Sequence, residues 1–147
     1  MYQRILVPVD GSDLSDKAMQ ASLDLARQLG ATVTGYVAEP VMPPPSTPRP
    51  RALLEQEARE HDAITEAHAL SVLARFERQA QAAGVAFEGV FDQAPQVDRA
   101  IVEAAENRGC DLIVMVTHGR GAFGEFLFGS HTKAVLAGSK LPLLVLH

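Results

Sequence analysis

The chain is poor in cysteine and aromatics, has no tryptophan, and lacks any apolar stretch long enough to cross a membrane. Its one cysteine, Cys110, excludes an intramolecular disulfide. Lysine and arginine form no block, and the formal net charge is −5. Nucleic acid and anionic membranes therefore drop out of the expected partners. The apolar run bracketed by Arg4 and Asp10 is too short for a secretory leader. The expectation is a soluble, cytoplasmic protein. Its 147 residues suit a single domain over 1–147. A chain of that size buries roughly 70% of the surface its unfolded form exposes, enough for a core without metal or cross-links.

Short apolar runs alternate with helical patterns along the chain. Residues 5–9 read as a buried strand, and Asp10-Gly11-Ser12-Asp13 as a turn in which Ser12 or Asp13 caps the next helix. That helix carries Leu14, Ala18, Ala21, Leu25 and Leu29 at helical spacing and closes at Gly30. A second strand, rich in β-branched residues, covers about 32–38. Residues 40–50 hold six of the nine prolines and are predicted to be a surface loop. A long polar helix over about 52–83 follows, with Ala69, Val72, Leu73, Phe76 and Ala80 inward, and ends at Gly84. The third strand falls at about 86–91. A third helix has Pro95 in its first turn, turns Val97, Ile101 and Ala104 to one face, and stops at Gly109. Leu112–Val116 is the fourth strand and Gly129-Ser130 opens a last helix of about eight residues. Pro142 introduces a fifth strand, Leu143–Leu146.

Strands alternating with helices build a parallel sheet with right-handed crossovers and helices on both faces. Such sheets bind ligands beyond the carboxyl ends of the strands, where the winding direction switches. Two loops converge there, residues 8–12 and residues 117–130. Glycine in the second admits an anion close to the backbone, and the N–H groups opening the last helix attract it. The pattern points to a nucleotide site before it points to an enzyme.

Competing motifs fail on context. Gly119, Gly121 and Gly124 spell G-x-G-x-x-G, but the dinucleotide fingerprint needs an acid about twenty residues on, and none follows Glu125. No P-loop sequence occurs. Asp10, Asp92 and Lys140 invite comparison with a phospho-acceptor receiver domain. That domain wants its aspartate after the third strand and its lysine after the fifth, whereas Lys140 precedes the fifth. His61 and His68 lack a third ligand at useful spacing and read as solvent-facing. His118 reads as structural, and Cys110 as a small buried residue. Phe123, Phe126, Leu127 and Phe128 either anchor the second loop on the core or form a lid.

Four stretches together resemble the universal stress protein family across the whole chain. They are Ile5-Leu6-Val7-Pro8-Val9-Asp10-Gly11-Ser12, Thr117-His118-Gly119-Arg120-Gly121, Gly129-Ser130, and Leu141-Pro142-Leu143-Leu144-Val145. The resemblance implies a doubly wound five-stranded parallel sheet of order 3-2-1-4-5 with helices on both faces, adenine nucleotide alpha hydrolase-like. It implies ATP as ligand, with or without Mg or Mn, and a homodimer through Leu143–Leu146. Pairing of that apolar edge strand with its twin would also protect it from aggregation. The family's ATP signature is Gly, two residues, Gly, nine residues, then Gly with Ser or Thr. Gly119, Gly129 and Ser130 match it, and Val116 stands where the first glycine belongs. By the same resemblance Pro8, Val9 and Asp10 approach the adenosine, and Val37 offers backbone groups to adenine. Met115 and Val116 would line the nucleoside, with Gly119, Arg120, Gly129, Ser130, His131 and Thr132 around the phosphates. Asp10 also has a reading as a turn former, and Arg120 as a solvated charge.

The leading functional expectation is an ATP-binding regulatory or stress-response protein whose nucleotide orders the glycine-rich loop and so alters contacts with an unknown protein partner. An alternative is a nucleotide-free homodimer acting in protein interaction or stress protection, with Val116 crowding the site. A third is a slow ATPase. Glu125 is the only acid in the second loop and nothing visible orients it, so no catalytic residue is assigned.

Overall fold

A computed structural model describes residues 1–116 and 130–146, with backbone alone at Ser130 and His131. The elements in chain order are strand β1 (Arg4–Pro8), helix α1 (Asp13–Leu29), β2 (Thr32–Glu39), α2 (Arg51–Ala83), β3 (Phe87–Gln93), α3 (Val97–Asn107), β4 (Leu112–Val116), α4 (Ser130–Gly138) and β5 (Leu143–Leu146). The strands form one sheet in the order β3-β2-β1-β4-β5. All four neighbouring pairs are parallel. The expected doubly wound order is the observed one.

The central strands read as unbroken apolar runs because both of their faces are covered. In β1, Ile5 and Val7 join the core under α1 and α2, while Leu6 joins the core under α3 and α4. In β4, Leu112 and Val114 face the first core, Ile113 and Met115 the second. Full burial of each such side chain is worth about 1.5–3 kcal/mol. α1 supplies Ala18, Met19, Leu23 and Ala26 to the first core, a stripe at helical spacing. On β2, Gly35 makes room for aromatic rings. A Cβ there would lie 2.8 Å from the Phe87 ring and 2.9 Å from Phe76. Those two rings sit with centroids 4.8 Å apart, so Phe76 of α2 reaches the sheet across that gap.

Four elements have bounds that differ from the expected ones. β1 ends at Pro8 and β2 runs on to Glu39. β3 starts one residue later than expected, at Phe87, and ends two later, at Gln93. It is an edge strand with no fully buried residue, so its polar end carried no strand signal. α3 begins at Val97 after Gln96, which leaves Pro95 ahead of the helix and not within its first turn. Gly30 and Gly84 end α1 and α2 with φ of 67° and 68°, as expected of left-handed caps.

α2 is far longer than the sheet needs. Its 33 residues span about 50 Å, roughly twice the length of an eight-residue strand. Its buried residues run only from Thr65 to Ala80. The helix returns the chain to the start of β3, so its excess length, residues 51–64, overhangs the rim where β2 ends. Among the described residues no helix is long and apolar enough to cross a membrane.

Candidate functional site

The winding direction switches at β1, which lies between β2 and β4. β1 follows β2 along its whole length, from Arg4↔Thr32 to Pro8↔Tyr36, with a further bond from Val9 N to the Tyr36 carbonyl at 2.9 Å. With β4 the register holds only two pairs, Ile5↔Leu112 and Leu6↔Ile113. The amino ends of these two strands are clamped by Asp111. Its carboxylate accepts from Gln3 N at 2.9 and 3.1 Å and from Arg4 N at 3.0 Å, and its own N–H donates to the Arg4 carbonyl at 2.9 Å. The ladder is interrupted after Leu6 because Pro8 has no N–H to donate. The carboxyl ends of β1 and β4 flank this switch in winding, and doubly wound folds hold ligands in the crevice outside such ends.

The turn after β1 is fixed by one buried hydroxyl. Ser15 is 4% exposed, and its Oγ accepts from Asp10 N at 2.8 Å and Gly11 N at 3.1 Å. The same hydroxyl donates to Asp10 Oδ1 at 2.7 Å, and Ser12 N donates to that oxygen at 2.9 Å. Burial pushes the Asp10 carboxyl up, but the bonds from Ser12 and Ser15 outweigh it and hold the group below its ordinary value. Asp10 is thus ionised at neutral pH. Ser12 takes the helix N-cap position without a side-chain bond, and Asp13 lies inside the first turn. Neither caps the helix as expected, because Ser15, one turn in, reaches back to bind the loop. Gly11 has φ +86°, and a Cβ there would lie 2.9 Å from Val72 Cγ2 and 3.3 Å from His68 Nε2. α2 occupies the space that a side chain would need.

At the end of β2 the backbone alternates between two neighbours. Val33 N and the Glu39 carbonyl bond to the β3 side, whereas Thr32 N and the Tyr36 carbonyl bond to the β1 side. Val37, of the same parity as Val33 and Glu39, is paired with Phe91, and its side chain is buried. Its polar backbone atoms are held within the sheet and face away from the crevice. Ala38 has the opposite parity, so its N–H and C=O point to the β1 side, beyond the last bond from Val9. Glu39 is 6% exposed and pairs with His68 Nδ1. His61 Nε2 lies 2.9 Å from the Pro40 carbonyl. Both histidines bond the β2 rim; His68 is exposed, as the solvent-facing reading had it, while His61 is half-buried. Gln93 Nε2 adds bonds to Asp62 Oδ1 at 2.8 Å and Thr65 Oγ1 at 3.0 Å. On the other face the Tyr36 hydroxyl donates to Asp92 Oδ2 at 3.1 Å, and burial followed by the nearby carboxylate pushes that phenol up. No group of three or more His, Cys, Asp or Glu among the described residues could hold a metal ion.

The remaining expected residues divide cleanly. Val9 is buried and Pro8 half-buried at the end of β1. Met115 lines the core under α3 and α4, while Val116 is half-buried against the core under α1 and α2. Ser130, His131 and Thr132 begin α4, and Thr132 is 3% exposed. α4 leads into β5, which is parallel to β4, so its first turn lies at the carboxyl rim. Gly119, Arg120 and Gly129 lie outside the described residues, as do His118, Gly121, Gly124, Glu125 and the Phe123–Phe126–Leu127–Phe128 cluster. Sequence reasoning missed Ser15, Ala38 and Glu39. Only Ser15 left a signal, a hydroxyl three residues past a cap position.

The strand order and the crevice at the switch define a doubly wound α/β protein of the adenine nucleotide alpha hydrolase-like fold. Within that class, the chain belongs to the universal stress protein family, whose model matches residues 1–147. The universal stress protein in the QAH/OAS sulfhydrylase 3'region of Thermus aquaticus is 31% identical over 154 residues, covering 99% of this chain and 98% of that one. The solved structure of MJ0577, from Methanocaldococcus jannaschii, superposes with a TM-score of 0.80 at 23% identity, covering 99% of this chain and 96% of that one. A universal stress protein crystallised in complex with cAMP superposes with a TM-score of 0.67 at 27% identity, over 99% of this chain and 97% of that one.

Proposed function

We propose that this chain is a single-domain, cytoplasmic regulatory protein that binds ATP in the β1/β4 crevice and changes a protein contact surface when the site fills. The observation that carries the reading is the switch of winding direction at β1 beside a turn already fixed by hydrogen bonds. A polar rim set in place before binding lowers the ordering cost of a ligand. The relative bound to cAMP supports an adenine nucleotide as the class of ligand.

The residues present fit such a ligand. Ala38, in place of Val37, has backbone groups free of the β3 ladder and able to meet adenine edges. Asp10 is anionic, so it would repel phosphates and suits the ribose hydroxyls instead. The bonds from Ser12 N and the Ser15 hydroxyl go to Oδ1, so Oδ2 is the oxygen that would accept from a sugar. Pro8, Val9, Met115 and Val116 would frame the nucleoside. Gly119, Arg120, Gly129, Ser130, His131 and Thr132 would meet the phosphates, with the first turn of α4 supplying N–H groups. Mg or Mn would ride on the phosphates. Binding would shift the conformational equilibrium only by its difference in affinity for two arrangements of the rim.

The test is thermal unfolding and equilibrium dialysis with ATP, AMP and cAMP. At a hundredfold excess over Kd, ATP should stabilise the protein by about 2.7 kcal/mol. Val116→Gly should tighten binding by removing methyls from the crevice floor. If no adenine nucleotide raises Tm or is retained on dialysis, the reading fails.

A second copy of the chain pairing along β5 is the accompanying proposal. β5 is an edge strand, and Leu144 on it and Leu136 on α4 are 36% and 62% exposed. Sedimentation equilibrium should give a dimer that Leu144→Lys converts to monomer. A wild-type monomer at tens of micromolar would end that idea.

A further inference from the structure

Among the described residues, 40–50 make no hydrogen bond to β1 or β4, and they are not an ordinary polar loop. Pro40, Pro43, Pro44, Pro45, Pro48 and Pro50 make up six of the eleven residues. No helix or strand forms there, and every residue except Met42 is exposed. Proline fixes its own φ near −65° and pushes the residue before it into extended conformations. Between Met42 and Pro50, only Ser46 is neither a proline nor followed by one. The chain bends at Ser46–Thr47, where that freedom lies. Pro50 has φ −55° and ψ 142°, within the scatter of the polyproline II basin. The segment is therefore two pre-set extended arms, 42–45 and 47–50, each about 12 Å long, joined at one hinge residue. Both ends are tied down. The Pro40 carbonyl is held by His61 Nε2 at 2.9 Å, and Arg49 pairs with Glu57 on α2.

We propose that residues 43–48 are a polyproline II recognition strap that docks into an aromatic-lined groove on a separate protein domain. With three residues per turn, Pro45 and Pro48 fall on one edge and present two rings to stacked aromatic side chains. A proline strap loses little conformational freedom on docking, which suits an exposed, tethered segment. Only Ser46 has to straighten. A strap folded over the protein's own crevice and a strap used between copies of this chain are the other occupants that the test separates.

The chain has no tryptophan, so tryptophan fluorescence of an added SH3 or WW module reports the partner's groove alone. Full-length protein is titrated into purified modules of both kinds. We expect a saturable change in fluorescence with at least one of them. Joint Pro45→Ala and Pro48→Ala substitution should weaken it about tenfold, a loss of about 1.4 kcal/mol. Ser46→Pro should tighten it about threefold by removing the hinge. Thermal unfolding confirms that each variant is folded. No saturable signal with either module, equal binding by the double variant, or weaker binding by Ser46→Pro overturns the proposal. So does a change in ATP affinity or in dimerisation in the double variant, because the strap would then serve the chain itself. Failure to bind ATP leaves the module titration unaffected, so the two readings fail separately.

Discussion

From the end of β1 the chain reaches α1 in four residues, while from β2, the adjacent strand, it takes eleven to reach α2. Both connections leave the same rim. The first is ordered by specific partners: a buried serine binds two N–H groups and a carboxylate, and α2 packs against Gly11. The second is ordered by covalent rings between two tied ends. Hydrogen-bonded order places particular polar atoms at particular points, which a ligand site requires. Proline-derived order fixes the shape of the chain and leaves its surface exposed, which suits a surface offered to another molecule. A rim can thus be stiff in two ways, and the way chosen indicates what it presents.

The sharpest test of that contrast is Gly11→Ala. At φ +86° an alanine is strained, and its Cβ would lie 2.9 Å from Val72 Cγ2. Left-handed backbone costs roughly 1–2 kcal/mol outside glycine, and crowding against α2 adds a similar amount. We expect a loss of about 2–4 kcal/mol and a Tm lower by about 10 °C. Pro44 in the strap is exposed, and Pro44→Gly should cost under about 1 kcal/mol, through the unfolded chain. Equal losses in thermal unfolding would show that the turn and the strap are held alike.

What the sequence discloses about this rim follows the same division. Local chemistry was readable: the proline content of 40–50, the caps at Gly30 and Gly84, and strands Leu112–Val116 and Leu143–Leu146, whose observed bounds equal the expected ones. Features that arise when distant segments meet were not. Gly11 looked like a turn residue, but its second constraint is α2, some sixty residues later in the chain. His61 and His68 read as surface histidines, and His68 is one, but their bonds to the β2 rim became visible only once β2 was seen to run on to Glu39. Val37 and Ala38 differ by one position, yet which of them faces the crevice depends on register with two other strands. Composition does not encode register, so the region of the site was legible and the atoms it presents were not.

The finest distinction lies within the Asp10 turn itself, between holding a shape and holding a charge. The Asp10 carboxyl sits below its ordinary value of 3.8 because hydrogen bonds from Ser12 and Ser15 overcome the effect of burial. A depressed carboxyl contributes stability that is fully present above the unfolded value, near pH 4, and is lost as pH falls through the folded one. Asparagine can keep the bond from Ser12 N but carries no charge. Asp10→Asn should therefore be less stable than wild type at pH 7, and that gap should close by pH 3. Asp10 is largely exposed, so the gap should stay below about 1 kcal/mol. Ser15→Ala removes one of the two groups that hold the carboxyl low and leaves Ser12 in place, so part of the pH dependence should survive in it. Urea midpoints for the three proteins at pH 3 and pH 7 decide the matter. A gap of the same size at both values would mean that the turn depends on the shape of Asp10 alone, and the argument that its charge is directed toward a sugar would lose its basis.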